Sequence, residues 1–105
     1  MASGILGQIV GTGSEADVYT VPASTLAVVN VNIVNNDASN AEAIVLRLVK
    51  ASETSAAKHT IENLSIAAAG GVLERTGIVL GAADKITLNA SSDVSISVYG
   101  IEEGA

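Results

Sequence analysis

An alternation of apolar and polar side chains with a period of two residues constrains the fold of this chain more than any other feature. In the segment 26–34, Val29 and Val31 fall on one face of an extended chain and Asn30 falls on the other. Alternate residues of a β-strand point to opposite faces of the sheet. The segment is therefore predicted to be a strand that turns one face toward a core.

Further runs of the same kind bring the number of predicted strands to about eight. The predicted strands are 5–10, 17–21, 26–34, 44–49, 58–66, 71–80, 84–90 and 94–98. Turn-forming residues separate them, and most connections are too short for a crossover helix. The pattern predicts an all-β fold, an antiparallel β-sandwich or jelly roll of about eight short strands.

The order of these runs also suggests how neighbouring strands are connected. Strands 58–66 and 71–80 are expected to pair as a hairpin around an Ala-Ala-Gly-Gly turn. A helix is the main alternative prediction for the segments 51–59 and 62–69. A strand is preferred for the second segment, because it lies within a run whose pattern indicates an extended chain.

The chain is expected to form one domain. Residues 1–14 are predicted to be an N-terminal arm or edge strand, and residues 15–105 a single β-sandwich domain. The glycine-rich run 11–14 is interpreted as a flexible connector, because it lacks the Lys-Ser/Thr ending of a phosphate-binding loop.

The composition excludes several kinds of partner and site. Cysteine is absent, which removes disulfides, a thiol nucleophile and thiolate metal ligands. The net charge of −6 and the scattered basic residues argue against nucleic-acid binding. No apolar run is long enough for a membrane span and no signal peptide is recognisable, so we expect a protein made in a cytoplasm, with no membrane partner.

The sequence offers no group of residues suited to catalysis or cofactor binding. His59 is the one histidine, and it is expected to lie on the surface of a strand or loop. Asp37, Asp84 and Asp93 lie in separate loops without the spacing of a calcium-binding loop. We therefore expect no enzymatic activity, no catalytic residue, no cofactor and no metal site.

Apolar residues on both faces of several strands indicate self-association. Val28 and Val34 accompany Asn30 on the face opposite the predicted core, and large exposed apolar patches usually mark an interface. We expect a homo-oligomer, with a trimer as the leading hypothesis. The residues predicted to contact a partner are those of the apolar N-terminal segment: Ile5, Leu6, Ile9 and Val10.

The order of segments resembles that of small β-sandwich structural proteins encoded by tailed bacteriophages, including cyanobacterial ones. The resemblance covers nearly the whole chain and rests on structural motifs rather than a catalytic signature. It is carried by GILGQ at 4–8, DVYTVPA at 17–23, the alternating strand and Asn-Asn loop at 26–36, AKHTI at 57–61, GIVL at 77–80, DKI at 84–86 and VYGIE at 98–102.

The resemblance implies a structural role in a virion. The protein would be a capsid decoration (cement) protein that binds the outer shell, with the major capsid protein or another virion protein as its partner. Decoration proteins often anchor through an extended arm. The segment 2–10 is short for such an arm and is equally well suited to a strand. Two alternatives are a tail, neck or fibre component of the same virion, such as an adaptor or receptor-binding module, and a small ligand-binding jelly roll.

Overall fold

A computed structural model describes residues 2–104 of the chain, and it confirms the all-β prediction. Eight strands account for most of these residues, and the single helical element in this range is a three-residue 3-10 turn, Ala57–His59. The strands are β1 Ser3–Val10, β2 Glu15–Thr20, β3 Thr25–Asn35, β4 Glu42–Val49, β5 Thr60–Ile66, β6 Val72–Leu80, β7 Lys85–Asn89 and β8 Val94–Gly104.

The eight strands form two four-stranded antiparallel sheets packed as a sandwich. Sheet A has the order β1-β8-β3-β6, and sheet B has the order β2-β7-β4-β5. The strands pair in nested order, as along the two arms of one long hairpin: β1 with β8, β2 with β7, β3 with β6, and β4 with β5. Rolling that hairpin brings β3 beside β8 and β4 beside β7. This is the strand order of a jelly roll.

The predicted hairpin between the fifth and sixth strands is wrong, because β5 belongs to sheet B and β6 to sheet A. The turn that joins them is tied to the end of β3 instead. The backbone N–H of Gly70 donates to the Asn35 carbonyl, and the N–H of Asn35 donates to the Gly71 carbonyl. Ala69 and Gly70 adopt positive φ angles of 62° and 90°, which direct the chain across the sandwich.

The core is built almost entirely from aliphatic side chains. With no Phe or Trp in the chain, Val, Ile and Leu fill the space between the sheets. Such short side chains suit a sheet separation of about 10 Å. The fully buried residues come mainly from the central strands: Val29, Val31 and Ile33 of β3, Ile44 and Leu46 of β4, Ile86 and Leu88 of β7, and Val94, Ile96 and Val98 of β8.

The N-terminal segment forms the edge of sheet A. Strand β1 pairs with β8 from Ser3 to Val10, with a bulge between Ile5 and Gly7. The connector that follows is not loose, as the sequence suggested, since the Gly11 N–H donates to the Val94 carbonyl at 2.8 Å. A β-carbon on Gly11 would lie 2.2 Å from the Ser91 carbonyl oxygen, and so the close approach requires glycine.

Asn35 holds the end of β3 to two neighbouring segments. Its side chain is fully buried, and its amide nitrogen lies 3.0 Å from the carbonyl oxygens of both Asn40 and Ile66. Its side-chain oxygen accepts the backbone N–H of Asp37. One amide thus satisfies carbonyls from the β3–β4 loop and from the end of β5, where the chain leaves sheet B.

We expect Asn35→Asp to lower the free energy of unfolding by about 3 kcal/mol, because it places a buried carboxylate against carbonyl oxygens. Asn36→Asp is the matched control, since Asn36 is exposed and its side-chain amide donates to the Ser95 hydroxyl rather than to buried carbonyl oxygens. The control is expected to cost less than about 1 kcal/mol. Equal losses in urea-unfolding curves of the two variants would contradict the role assigned to Asn35.

Candidate interaction surface

The outer side of sheet A, which we call face A, carries most of the exposed apolar surface. Face A consists of the side chains of β1, β3, β6 and β8 that point away from the core. Among residues 2–104, six of the seven large apolar residues with strongly exposed side chains belong to it, and Leu64 is the exception. The six are Ile5, Val10, Val28, Val72, Val79 and Ile101.

The strand register arranges these side chains in rows that run across the sheet. One apolar row joins Ile101, Val28 and Val79 on three adjacent strands. A second row, toward the other end of the strands, contains Val10, Val34 and Val72 together with Ser95. Cross-strand neighbours on one face lie close enough to pack together, so the first row is a continuous apolar strip. In the second row, Ser95 separates Val10 from Val34 and Val72.

A polar row lies between the two apolar rows. Gln8, Ser97, Asn32 and Glu74 occupy successive strands at the same level, and the Gln8 amide lies 3.0 Å from the Ser97 hydroxyl. Tyr99 pairs with Ile5 on one side and Asn30 on the other, next to this row. Face A therefore alternates apolar, polar and apolar strips along the strand direction.

Face A is almost uncharged. Its strands place Glu74 and Glu103 on the outer side, and β1, β3 and β8 contain no Lys or Arg. Arg75, the basic residue of β6, forms an ion pair of 2.9 Å with Glu62 of β5 at the side of the sandwich. The charge of this acidic chain therefore lies largely elsewhere.

The outer side of sheet B, called face B, has the opposite character. The carboxylate of Glu15 accepts hydrogen bonds from the hydroxyls of Ser55 and Thr87 and lies 3.5 Å from the Arg47 guanidinium. Lys85 and Asp17 form another ion pair, at 3.1 Å. The loop 50–59 reaches this face through Ser55, whose hydroxyl also accepts a hydrogen bond from the Arg47 guanidinium at 2.9 Å.

Strand β1 is the uncharged edge of the sandwich. The other edge strands carry acidic residues: Glu15 and Asp17 on β2, Glu62 on β5, and Glu74 on β6. Charged residues on edge strands discourage pairing with other chains. The uncharged edge at β1 is continuous with face A, and so the apolar surface extends to this side of the molecule.

The four predicted partner residues divide between two faces. Ile5 and Val10 are exposed on face A, at 66% and 55% of their full accessibility. Leu6 and Ile9 are half-buried and pack against the core. The bulge between Ile5 and Gly7 shifts the alternation by one residue, so that Ile5 and Val10 both point outward although they are five positions apart.

Three members of face A were not identified from sequence. The alternation of 94–98 continues beyond Gly100 to Ile101, which an extended count with period two would have found. Val72 and Val79 lie on β6, where the irregularity around Gly77 breaks the alternation. The Asn30 side chain accepts the Gly77 N–H and holds that irregularity in place.

His59 is buried, and the expectation of a surface position is wrong. Its Nδ1 accepts the backbone N–H of Ala56, and so the ring proton of the neutral form lies on Nε2, 3.0 Å from a Glu53 carboxylate oxygen. Both ring nitrogens therefore hold the loop 50–59 and its 3-10 turn together.

Asp37 and Asp93 come together at one end of the sandwich, joined by Glu42, with carboxylate oxygens within 4.8 Å of one another. The backbone N–H groups of Ser39 and Asn40 hold the pKa of Asp37 below its ordinary value. Through these hydrogen bonds, Asp37 stabilises the turn between β3 and β4.

Asp84, the third loop aspartate, lies elsewhere. Its carboxylate accepts the backbone N–H groups of Ala51 and Gly81, each at 2.8 Å. Asp84 therefore joins the turn after β6 to the loop that follows β4.

Two open depressions interrupt the surface. One lies between β1 and β8 on face A and includes Gln8, Val10 and Ser95 in its lining. The other lies between the ends of β4 and β6 and includes Lys50 and Asp84. Neither lining brings a histidine together with a carboxylate.

Comparison of this chain with models of protein families, with curated proteins and with solved structures finds no match. Within residues 2–104, no helix combines the length and hydropathy needed to cross a membrane. The properties of the two faces therefore carry the functional interpretation.

Glu15 should make the stability of the protein sensitive to acid. Hydrogen bonds from Ser55 and then Thr87 hold its pKa below the ordinary value of 4.5. A lowered carboxyl pKa stabilises the fold above the unfolded-state pKa, and this contribution is lost as the pH falls through the folded-state value. We expect the loss to begin near pH 4.5 and to reach at most about 1 kcal/mol, because the Glu15 side chain keeps 31% of its accessibility and solvent therefore screens its charge.

The measurement is the free energy of unfolding between pH 7 and pH 3. The wild type should lose stability more steeply below pH 4.5 than Glu15→Gln, and Ser55→Ala, which removes one donor to Glu15, should fall between them. Parallel curves for the wild type and Glu15→Gln would show that these hydrogen bonds do not favour the ionised carboxylate.

Proposed function

We propose that this protein is a non-enzymatic structural subunit of a virion, a capsid decoration protein that acts as a homo-oligomer bound to the outer shell. The observation that carries the proposal is face A, a sheet face that carries six exposed large apolar side chains and only two outward carboxylates, Glu74 and Glu103. Exposed apolar patches of this extent usually mark a protein interface. An adhesive role needs such a surface and needs no catalytic group.

The internal chemistry supports a structural role over an enzymatic one. Among residues 2–104, no buried side-chain nitrogen or oxygen lacks a hydrogen-bond partner. His59 uses both ring nitrogens to hold its own loop, and Asp84 uses its carboxylate to hold a turn. His59 and Asp84 are thus engaged in maintaining the fold.

The virion setting rests on two arguments by analogy. The segment order resembles that of small β-sandwich proteins of tailed bacteriophages, as described above. The jelly-roll strand order occurs in viral capsid domains, although it also serves lectins and cupins. Many copies on one shell would bind with avidity, and so each contact could be weak.

The test is cryo-electron microscopy of virions from the source of the chain, with gold-labelled antibody against the protein to identify its density. A decoration protein predicts density distributed regularly over the outside of the head. Density confined to the tail or neck would replace the decoration role with that of an adaptor or receptor-binding module. Absence from the particle would overturn the proposal of a virion role.

A further inference from the structure

We infer that face A is the self-association surface and packs against face A of a second copy about a two-fold axis parallel to the strands. This inference rests on the self-association in the proposed function and deepens it by naming the surface. The second copy is the occupant that the arrangement of the rows and the available area favour, and the charge distribution is compatible with it.

The rows of face A are self-complementary under this rotation. Because the sheet order is β1-β8-β3-β6, a central two-fold axis places β3 over β8 of the second copy and β6 over its β1. Because the rotation keeps the position along the strand direction, each row of one copy lies over the same row of the second copy. Val28 faces Ile101 and Val72 faces Val10, which are the apolar contacts of the two rows. Val34 faces Ser95 and Val79 faces Ser3 at the same levels.

The polar row is matched under the same rotation. Glu74 of one copy lies opposite Gln8 of the other, where the amide N–H can donate to the carboxylate. Asn32 lies opposite Ser97, and both can donate and accept. The Glu74 carboxylate, on the edge strand β6, therefore meets a donor rather than a second carboxylate.

Charge is compatible with association through this face. Two copies of a chain with net charge −6 repel one another. Face A places only Glu74 and Glu103 outward, and the rotation sets Glu74 over Gln8 and Glu103 over Leu26. Neither carboxylate therefore lies directly opposite another carboxylate.

The area is sufficient for a specific dimer. Four strands about 4.8 Å apart and about eight residues long give a footprint of roughly 500 Å² for each copy. Two such faces bury about 1,000 Å² in total, the lower bound for a specific interface. Sheets pack face to face with their strands within about 30° of parallel, which the two-fold axis along the strands permits.

A pair of charge substitutions tests the surface. Val28→Glu/Val79→Glu places two carboxylates in one apolar row, and Asn63→Glu/Asn89→Glu adds the same charge to exposed positions on either side of Val45 on face B. By sedimentation equilibrium, the wild type should dimerise. The face A variant should weaken the dimer about a hundredfold or more, and the control should change it less than about threefold.

Folding of each variant is checked by its circular dichroism melt. If the face A glutamates lower the melting temperature more than the control does, Val28→Thr/Val79→Thr replaces them, since threonine keeps the β-branched shape. That variant should weaken the dimer about tenfold, because it removes apolar area without adding charge. An unchanged dissociation constant for a folded face A variant would overturn the inference.

Cross-linking tests the orientation. The chain has no cysteine, and so Val28→Cys and Ile101→Cys proteins can be mixed and treated with a short bis-maleimide. The mixture should cross-link more strongly than either protein alone, because Val28 faces Ile101 across the axis. Stronger linkage of Val28→Cys to itself would overturn the proposed axis.

The outcomes separate the failure of this inference from that of the proposed function. A wild type that forms a dimer insensitive to face A substitutions, or that forms a trimer, keeps self-association and overturns the face A dimer. A wild type that stays monomeric at all concentrations overturns both the dimer and the homo-oligomeric part of the proposed function. Localisation on the virion is decided independently by microscopy.

Discussion

The packing of short aliphatic side chains between β3 and β8 on one sheet and β4 and β7 on the other is the interaction on which the structure depends. Val31 and Ile33 of β3, together with Ile96 of β8, are almost completely inaccessible to solvent. Burial of apolar area at about 25 cal/mol per Å² is the main favourable term in folding. The rolled hairpin places these four strands in the middle of both sheets, and so edge strands and loops are positioned relative to them.

A thin aliphatic core also gives the outer faces their importance. In a sandwich of two sheets, every strand has one inward and one outward face, and the outward faces make up much of the surface. Face B satisfies its outward positions with ion pairs and hydroxyl–carboxylate hydrogen bonds. Face A leaves Val79 and Ile101 exposed in one row, on either side of Val28. This asymmetry favours one face as the site of association.

The strands were predictable from sequence because period-two patterns such as Val29–Asn30–Val31 report directly which side chains share a face. Strand pairing was less predictable, since alternation identifies a face but not a neighbour, and β5 and β6 therefore fell into different sheets despite their short connection. The burial of His59 depends on a loop that folds back on itself. Face A was only partly predictable. Continued alternation from 94–98 leads to Ile101, whereas the irregularity around Gly77 breaks the pattern between Val72 and Val79.

The measurement that tests the central claim most directly is hydroxyl-radical footprinting of the wild type across a range of protein concentrations. Tyr99 lies on face A, whereas Leu64 is exposed away from it. The account predicts that oxidation of Tyr99, Val79 and Ile101 falls as concentration rises, while that of Leu64 stays constant. Constant oxidation of face A, with protection elsewhere as the protein associates, would contradict face A as the surface through which this protein assembles.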